Sequence, residues 1–438
     1  MMMMMRRVRA ASSAAGFGFA GLVLPPLPPL VVVVVVLMAL VGADQRAQAE
    51  VVFDQDTFGN LHINTSADGA GGGRVLLNGV DVLGLLQQQQ ERMQAVQARV
   101  CQRQTLVDVT GIAVPSGNRK WSDGVLANNG RIYTTPFRSD TVLIIDPSTN
   151  SADATTISDL GTDTFKWGGG VLAPNGRIYA SPVTAPSVLV IDPETNTVDG
   201  TSMPVSGAHE DDEFAFFKWT KGVLAPNGNI YCVPLDAASV LVIDPAAGTA
   251  DATTIVSGAG TSVISDKWLG AVLADSNGRI YGIPYNADAV LIVDPATNTA
   301  DNTTIRGFGG MQKKWRGGVL GANGLIYGIP YEATGVLIID PATNAVDTGA
   351  IAGSANLFWQ GGVLLHDGRI LAFPAFSTPS ALIIDPATNT TDTTTVTGFD
   401  AVGTAYAGGV LVPATGRVYL IPSRAETIPV INTLCIPS

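Results

Sequence analysis

The residues best suited to chemistry in this chain are those that recur. Five Lys-Trp pairs stand along it: Lys120-Trp121, Lys166-Trp167, Lys218-Trp219, Lys267-Trp268 and Lys314-Trp315. An ammonium group beside an indole can hold an anionic ligand, the lysine supplying charge and the indole a stacking face. Alternatively the indole wedges between packed elements and the lysine lays its alkyl stem across it. The pairs are ligand-binding candidates on the first reading; their recurrence from repeat to repeat favours the second. Two further copies, Phe358-Trp359 and Ala405-Tyr406, lack the lysine.

A second recurring group is Asp-Pro, at Asp146, Asp192, Asp244, Asp294, Asp340 and Asp385, each followed seven positions on by another aspartate such as Asp153 or Asp347. Carboxylates with turn carbonyls suit calcium. The spacing is not that of an EF-hand loop, and aspartate caps tight turns for its own reasons, so no metal site is expected. His209-Glu210-Asp211-Asp212-Glu213 interrupts the repeat and is either a functional loop or a solvated acidic insertion. The three histidines, His62, His209 and His366, fall in unrelated segments, and there is no Gly-x-Ser-x-Gly elbow or phosphate-binding glycine loop. No catalytic residue and no cofactor is therefore assigned. A lyase or hydrolase working through lysines or carboxylates alone is the minor alternative.

The elements that carry these residues repeat every 44 to 52 residues from Lys120 onward. In the fifth copy Gly318-Val319-Leu320 reads as a first strand and Ala322-Asn323-Gly324 as a hairpin turn, since Asn and Gly accept positive φ. Leu325 to Pro330 is a second strand, and Val336 to Ile339 is a buried β-branched third strand. Asp340 to Asn344 is the next turn, before a short fourth strand. All six tryptophans mark copies, and Tyr406 marks a seventh. Four-stranded units at this spacing predict an all-β, seven-bladed β-propeller over residues 104–438. The seventh copy ends after its third strand, so Thr105 to Val109 is expected to supply its fourth and close the ring, removing two exposed edges. That closure brings Cys101 and Cys435 to one turn and predicts a disulfide between them, whereas Cys232 is expected to be a buried free thiol.

The blade pattern, with Asn-Gly-Arg-Ile-Tyr and then Val-Leu-Ile-Ile-Asp-Pro-Ala-Thr-Asn-Thr, resembles the YVTN-type β-propeller repeats of surface and secreted proteins over residues 105–438. The Lys-Trp pairs depart from that pattern. In resembling propellers the first strand starts at the face where the inter-blade loops gather, which implies that the lysines ring one mouth of the central channel. The resemblance speaks for fold and little for function, because propellers host many activities.

Ahead of the ring, Arg6, Arg7, Arg9, the apolar run Leu30 to Val41 and Ala47-Gln48-Ala49 read as a signal peptide over residues 1–49. Residues 50–79 are Gly-rich and polar, with a short hairpin expected around Arg74 to Gly79. Residues 80–103 read as a helical stalk, with Val82, Leu86, Met93, Val96 and Val100 on one stripe, able to join copies of the chain or to lie against the propeller. Secretion makes Asn64, Asn302 and Asn389 N-glycosylation acceptors. The net charge of −12 excludes a nucleic-acid partner. The function these features predict is non-catalytic extracellular binding or display, with a glycan, an anionic molecule or a protein as ligand. A structural coat or matrix protein that self-associates through residues 80–103 is the alternative, and the membrane enters only if the signal segment stays attached.

Overall fold

The computed structural model describes side chains from Gln88 onward, except residues 103–104, 162, 206–216, 259–264, 310–311, 354–356, 400–402, 404 and 438; ahead of Gln88 it describes the backbone of five short strands and the start of a helix. The expected signal segment, the side chain of Asn64 and the acidic stretch His209 to Glu213 lie outside the described side chains. Two compact units meet the eye, Met1–Arg103 and Gln104–Ser438.

In the first unit, Ala49–Gln55 pairs antiparallel with Leu61–Ala67, a hairpin that the polar composition of this stretch did not announce. Leu76–Leu77 pairs with Val80–Asp81 across Asn78-Gly79, close to the short hairpin expected there. A 20-residue helix, Val82–Cys101, follows. No described helix is long and apolar enough to cross a membrane.

The second unit is a ring of seven four-stranded antiparallel blades. In blade 5 the strands are Trp315–Leu320, Ile326–Pro330, Leu337–Asp340 and Ala345–Asp347, so the first strand begins three residues earlier than its Gly-Val-Leu signal suggests. Blade 3 adds a fifth, parallel strand, Val205–Ser206, to its outer edge. Blade 7 takes Tyr406–Val412, Arg417–Pro422 and Val430–Asn432 from the C-terminus and Val107–Asp108 from the front of the unit. Val430 pairs with Asp108 and Ile431 with Val107, which closes the ring as expected.

The hydrophobic core is divided among the seven blade-to-blade interfaces, and each cluster holds one of the six tryptophans or Tyr406. The tryptophan of one blade packs against the previous blade: Trp219 is 1% exposed among Tyr179, Val190, Leu241 and Ile243. Its indole N–H donates to Ser239 O at 2.8 Å, and Trp121, Trp167, Trp268, Trp315 and Trp359 each make the matching bond to Thr141, Ser187, Ala289, Gly335 and Ser380. A wide apolar ring with one satisfied donor suits a wedge that must be buried whole. The free thiol Cys232 lies in the same kind of interface, 1% exposed, and burial pushes its pKa up to about 12.

A second set of bonds joins the blades at their far ends. Tyr133, Tyr231 and Tyr281, each from a second strand, donate to Asn196, Asn298 and Asn344 in the Asp-Pro turn of the next blade at 2.7, 3.0 and 3.1 Å. Those asparagines hold φ of 52°, 51° and 57°, a left-handed conformation that asparagine tolerates and that aims its side chain at the neighbour. The turn aspartates accept backbone N–H bonds two residues on, as Asp244 does from Ala246 at 2.9 Å and Asp340 from Ala342 at 2.9 Å. Their carboxylates are thus engaged in turn capping, and no cluster of three or more metal-ligating side chains exists among the described residues.

Candidate ligand site in the central channel

The first strands of all seven blades line a central channel, a cavity of about 590 Å³. Each of these strands shifts register near its start, as between Trp268 and Ala271 or Trp315 and Gly318, a bulge that frees the next residues to face the axis. Seven strands converging on one axis leave little room for side chains. A Cβ on Gly270 would sit 2.8 Å from Gly317 Cα, and both glycines have positive φ.

The recurring lysines do not present their charge to this cavity. Lys120, Lys166, Lys267 and Lys314 are buried and Lys218 is half-buried. Lys120 Nζ donates to Ala425 O at 2.7 Å, Lys218 Nζ to Ala185 O at 2.9 Å and Lys267 Nζ to Asp236 O at 2.9 Å. Lys166 Nζ reaches three carbonyls, Ser139, Gly161 and Asp163. Burial lowers the pKa of Lys120, Lys166 and Lys314. Sequence places the lysines at one end of the first strands, and the fold turns them away from the axis into the inter-blade loops, where they bind carbonyls. Of the paired tryptophans only Trp121 lines the cavity, at 1% exposure.

What does reach the mouth is a set of arginines and aromatic rings. Arg119, Arg316 and Arg424, from the entry to blade 1 and from blades 5 and 7, line the same cavity. The Arg119 guanidinium is held below its ordinary range by burial and by repulsion from Arg424, Arg138 and Arg316. Phe165 stacks edge-on with Phe137 at 5.0 Å and with Phe217 at 5.1 Å, and Arg138 lies 4.3 Å over it. On the other side Tyr285, Tyr331, Phe358 and Phe376 form a chain of ring contacts between 5.2 and 5.8 Å, with Arg316 5.4 Å over Tyr331. Phe376 is 53% exposed at φ 36°. Arg119, Phe165, Asp266 and Lys313, which occupy the same position before a Lys-Trp pair, all hold φ between 53° and 64°. Strain of this kind costs on the order of 1 kcal/mol per residue and gathers where loops are held for a purpose. One acid joins the set: burial and the nearby Asp236 raise the pKa of Asp266.

Deeper in, Lys221 of blade 3 pairs with Asp123 of blade 1 at 2.7 Å across the glycines of blade 2. Gln360 is 3% exposed and donates through Nε2 to Tyr406 O at 2.6 Å. Its Oε1 and the Thr220 hydroxyl are buried without a protein partner. His366 is exposed beyond the opposite ends of the strands and meets none of these groups. Of the expected glycosylation positions, Asn389 is exposed and Asn302 half-buried. Cys101 and Cys435 are both disulfide-bonded, which with Cys232 free makes them one pair.

Neither a protein-family model nor a curated protein sequence matches the chain. Solved structures do match in fold. A streptogramin B lyase is similar at a TM-score of 0.58 and 11% identity, over 74% of this chain and 97% of that one. Virginiamycin B lyase from Staphylococcus aureus gives 0.56 and 9%, over 74% and 98%. The extracellular domain of a putative hybrid two-component system from B. thetaiotaomicron gives 0.55 and 11%, over 87% of this chain and 46% of that one. At such identities these likenesses establish the propeller fold and leave the chemistry to this chain's own residues.

Proposed function

We propose that the protein is a secreted, YVTN-type binding propeller that holds an anionic ligand at the arginine- and aromatic-lined mouth of its channel. The observation that carries this reading is the convergence of Arg119, Arg316 and Arg424 on one cavity rimmed by aromatic rings, in a chain whose net charge is −12. Like charges are brought together at a cost that a bound anion relieves, and guanidinium groups over aromatic faces favour planar or ring-shaped anions. The disulfide and the extracellular domain among the fold neighbours support an extracellular setting. Screening acidic glycans and small carboxylates against Arg119→Ala and Arg424→Ala variants tests the proposal. Binding should weaken with salt and fall in both variants; binding indifferent to both overturns it.

A second reading concerns display. Met93, Val96 and Val100 on the helix are 71%, 61% and 44% exposed at heptad spacing, which suits pairing with a second copy of the helix. Light scattering of the wild type and of Met93→Glu distinguishes a helix-linked oligomer from a monomer.

A further inference from the structure

We propose that the channel takes the ring of an acidic sugar end-on, with its carboxylate at Arg119 and Arg424 and its hydroxyl groups directed to Thr220, Gln360 and the Asp123–Lys221 pair. This rests on the binding reading above and names the ligand class for that site. The inner strands run inward from the mouth at about 3.3 Å per residue, so Thr220, Lys221, Gln360 and Asp123, one or two residues past the large aromatic of their blades, form the layer below Arg119 and Arg424, level with Arg316. Gln360 Oε1 and Thr220 Oγ1 are buried polar atoms with no partner in the protein, and buried polar atoms are seldom left without one. Asp123, 7% exposed and ion-paired to Lys221, adds an acceptor.

The layer offers both acceptors and donors. A bare sulfate carries acceptors alone and would leave Gln360 Oε1 and Asp123 unmatched, and an aromatic carboxylate has no donors for them. A sugar hydroxyl both donates and accepts, which matches Gln360, Asp123, Thr220 and Lys221 together. Gly169 makes room for the Asp123–Lys221 ion pair, since a Cβ there would lie 2.7 Å from Lys221 Cγ and 2.9 Å from Asp123 Oδ2. A cavity of about 590 Å³ is of small-molecule size.

The test is titration calorimetry with two monocarboxylates of similar size, D-glucuronate and cyclohexanecarboxylate, and with an oligosaccharide ending in glucuronate. Glucuronate should bind about tenfold more tightly than the hydroxyl-free acid. Thr220→Val, which removes a hydroxyl with no protein partner and should leave Tm unchanged, should reduce that advantage several-fold without weakening cyclohexanecarboxylate. Equal affinity for the two acids, or a glucuronate preference untouched in Thr220→Val, overturns the sugar assignment and leaves the anion-binding mouth standing. Failure of both acids to bind overturns both readings. Tighter binding of the oligosaccharide than of the free acid identifies a glycan end as the source of the sugar; the reverse identifies the free acid.

Discussion

The hydroxyl of Tyr419 in blade 7 donates to Asn150 Oδ1 in blade 1 at 2.8 Å. It is the bond made by Tyr133, Tyr231 and Tyr281 to the next blade, so the seam where the ring closes is fastened in the same way as ordinary neighbours. Two of the joints that lack this bond have lost one of its partners. Blade 3 carries Gly248, at φ 68°, where other turns carry asparagine, and blade 6 has Leu371 where other second strands have tyrosine.

Replacing Asn150 with glycine keeps the left-handed backbone and removes only the side-chain acceptor. Urea denaturation of Asn150→Gly should show a loss of about 1 kcal/mol. Asn389→Gly, at a turn of φ 56° whose side chain makes no such bond, should change stability far less.

Lys166→Met separates a structural lysine from a ligand-binding one. Three carbonyls lose their donor, so the variant should be destabilised by about 2 kcal/mol. Its affinity for anions should match that of the wild type. Loss of anion binding in a variant of unchanged stability would restore the lysine to the site.

Acid should weaken the outer strands through their aspartates. Hydroxyl and backbone N–H donors from Thr156 and Thr155 hold Asp153 at about 2, and those from Ser202 and Thr201 do the same for Asp199. Asp301, which burial pushes upward, is still held at about 2 by Thr304 and Thr303. A folded pKa below the unfolded value of about 3.9 stabilises the fold above that pH, and the contribution is lost as pH falls through about 2. Tm should therefore fall between pH 5 and pH 2, and by less in Asp153→Asn than in the wild type.

Cys232, with its thiol pushed up to about 12 by burial, should resist iodoacetamide in the native protein at pH 8. Denaturation without reductant should expose one reactive thiol per chain. Two further thiols appearing only after reduction would match the Cys101–Cys435 pair.

The blades were legible because packing imposes them on the sequence at every turn. A buried wedge must be large and aromatic, so Trp121 through Trp359 and Tyr406 count the interfaces directly. A third strand covered on both faces must be apolar, as Leu337 to Ile339 is. The mouth was not legible, because its arginines hold no common place in the repeat. Arg119 lies two residues before Trp121, Arg316 one residue after Trp315, and Arg424 two residues after Pro422. Only closure of the ring brings them together. The lysines could be read two ways for a related reason: spacing locates them at one end of the strands, while the carbonyls that draw them off the axis lie in inter-blade loops with no regular pattern. The tyrosine–asparagine bonds were within reach, since Ile-Tyr and Thr-Asn recur in step, but the link runs between neighbouring repeats and not within one.

The strand exchange in blade 7 sets an order for making the molecule. Val107 and Asp108 leave the ribosome more than three hundred residues before their partners Val430 and Ile431, a gap of tens of seconds at about 5–20 residues per second. Six blades can assemble during that interval, while the interface that holds Trp121, Val410, Tyr419 and Ile421 stays half-made. A chain interrupted late in synthesis would carry nearly the whole ring and still present an open apolar face, the kind of surface that chaperones and proteases act on.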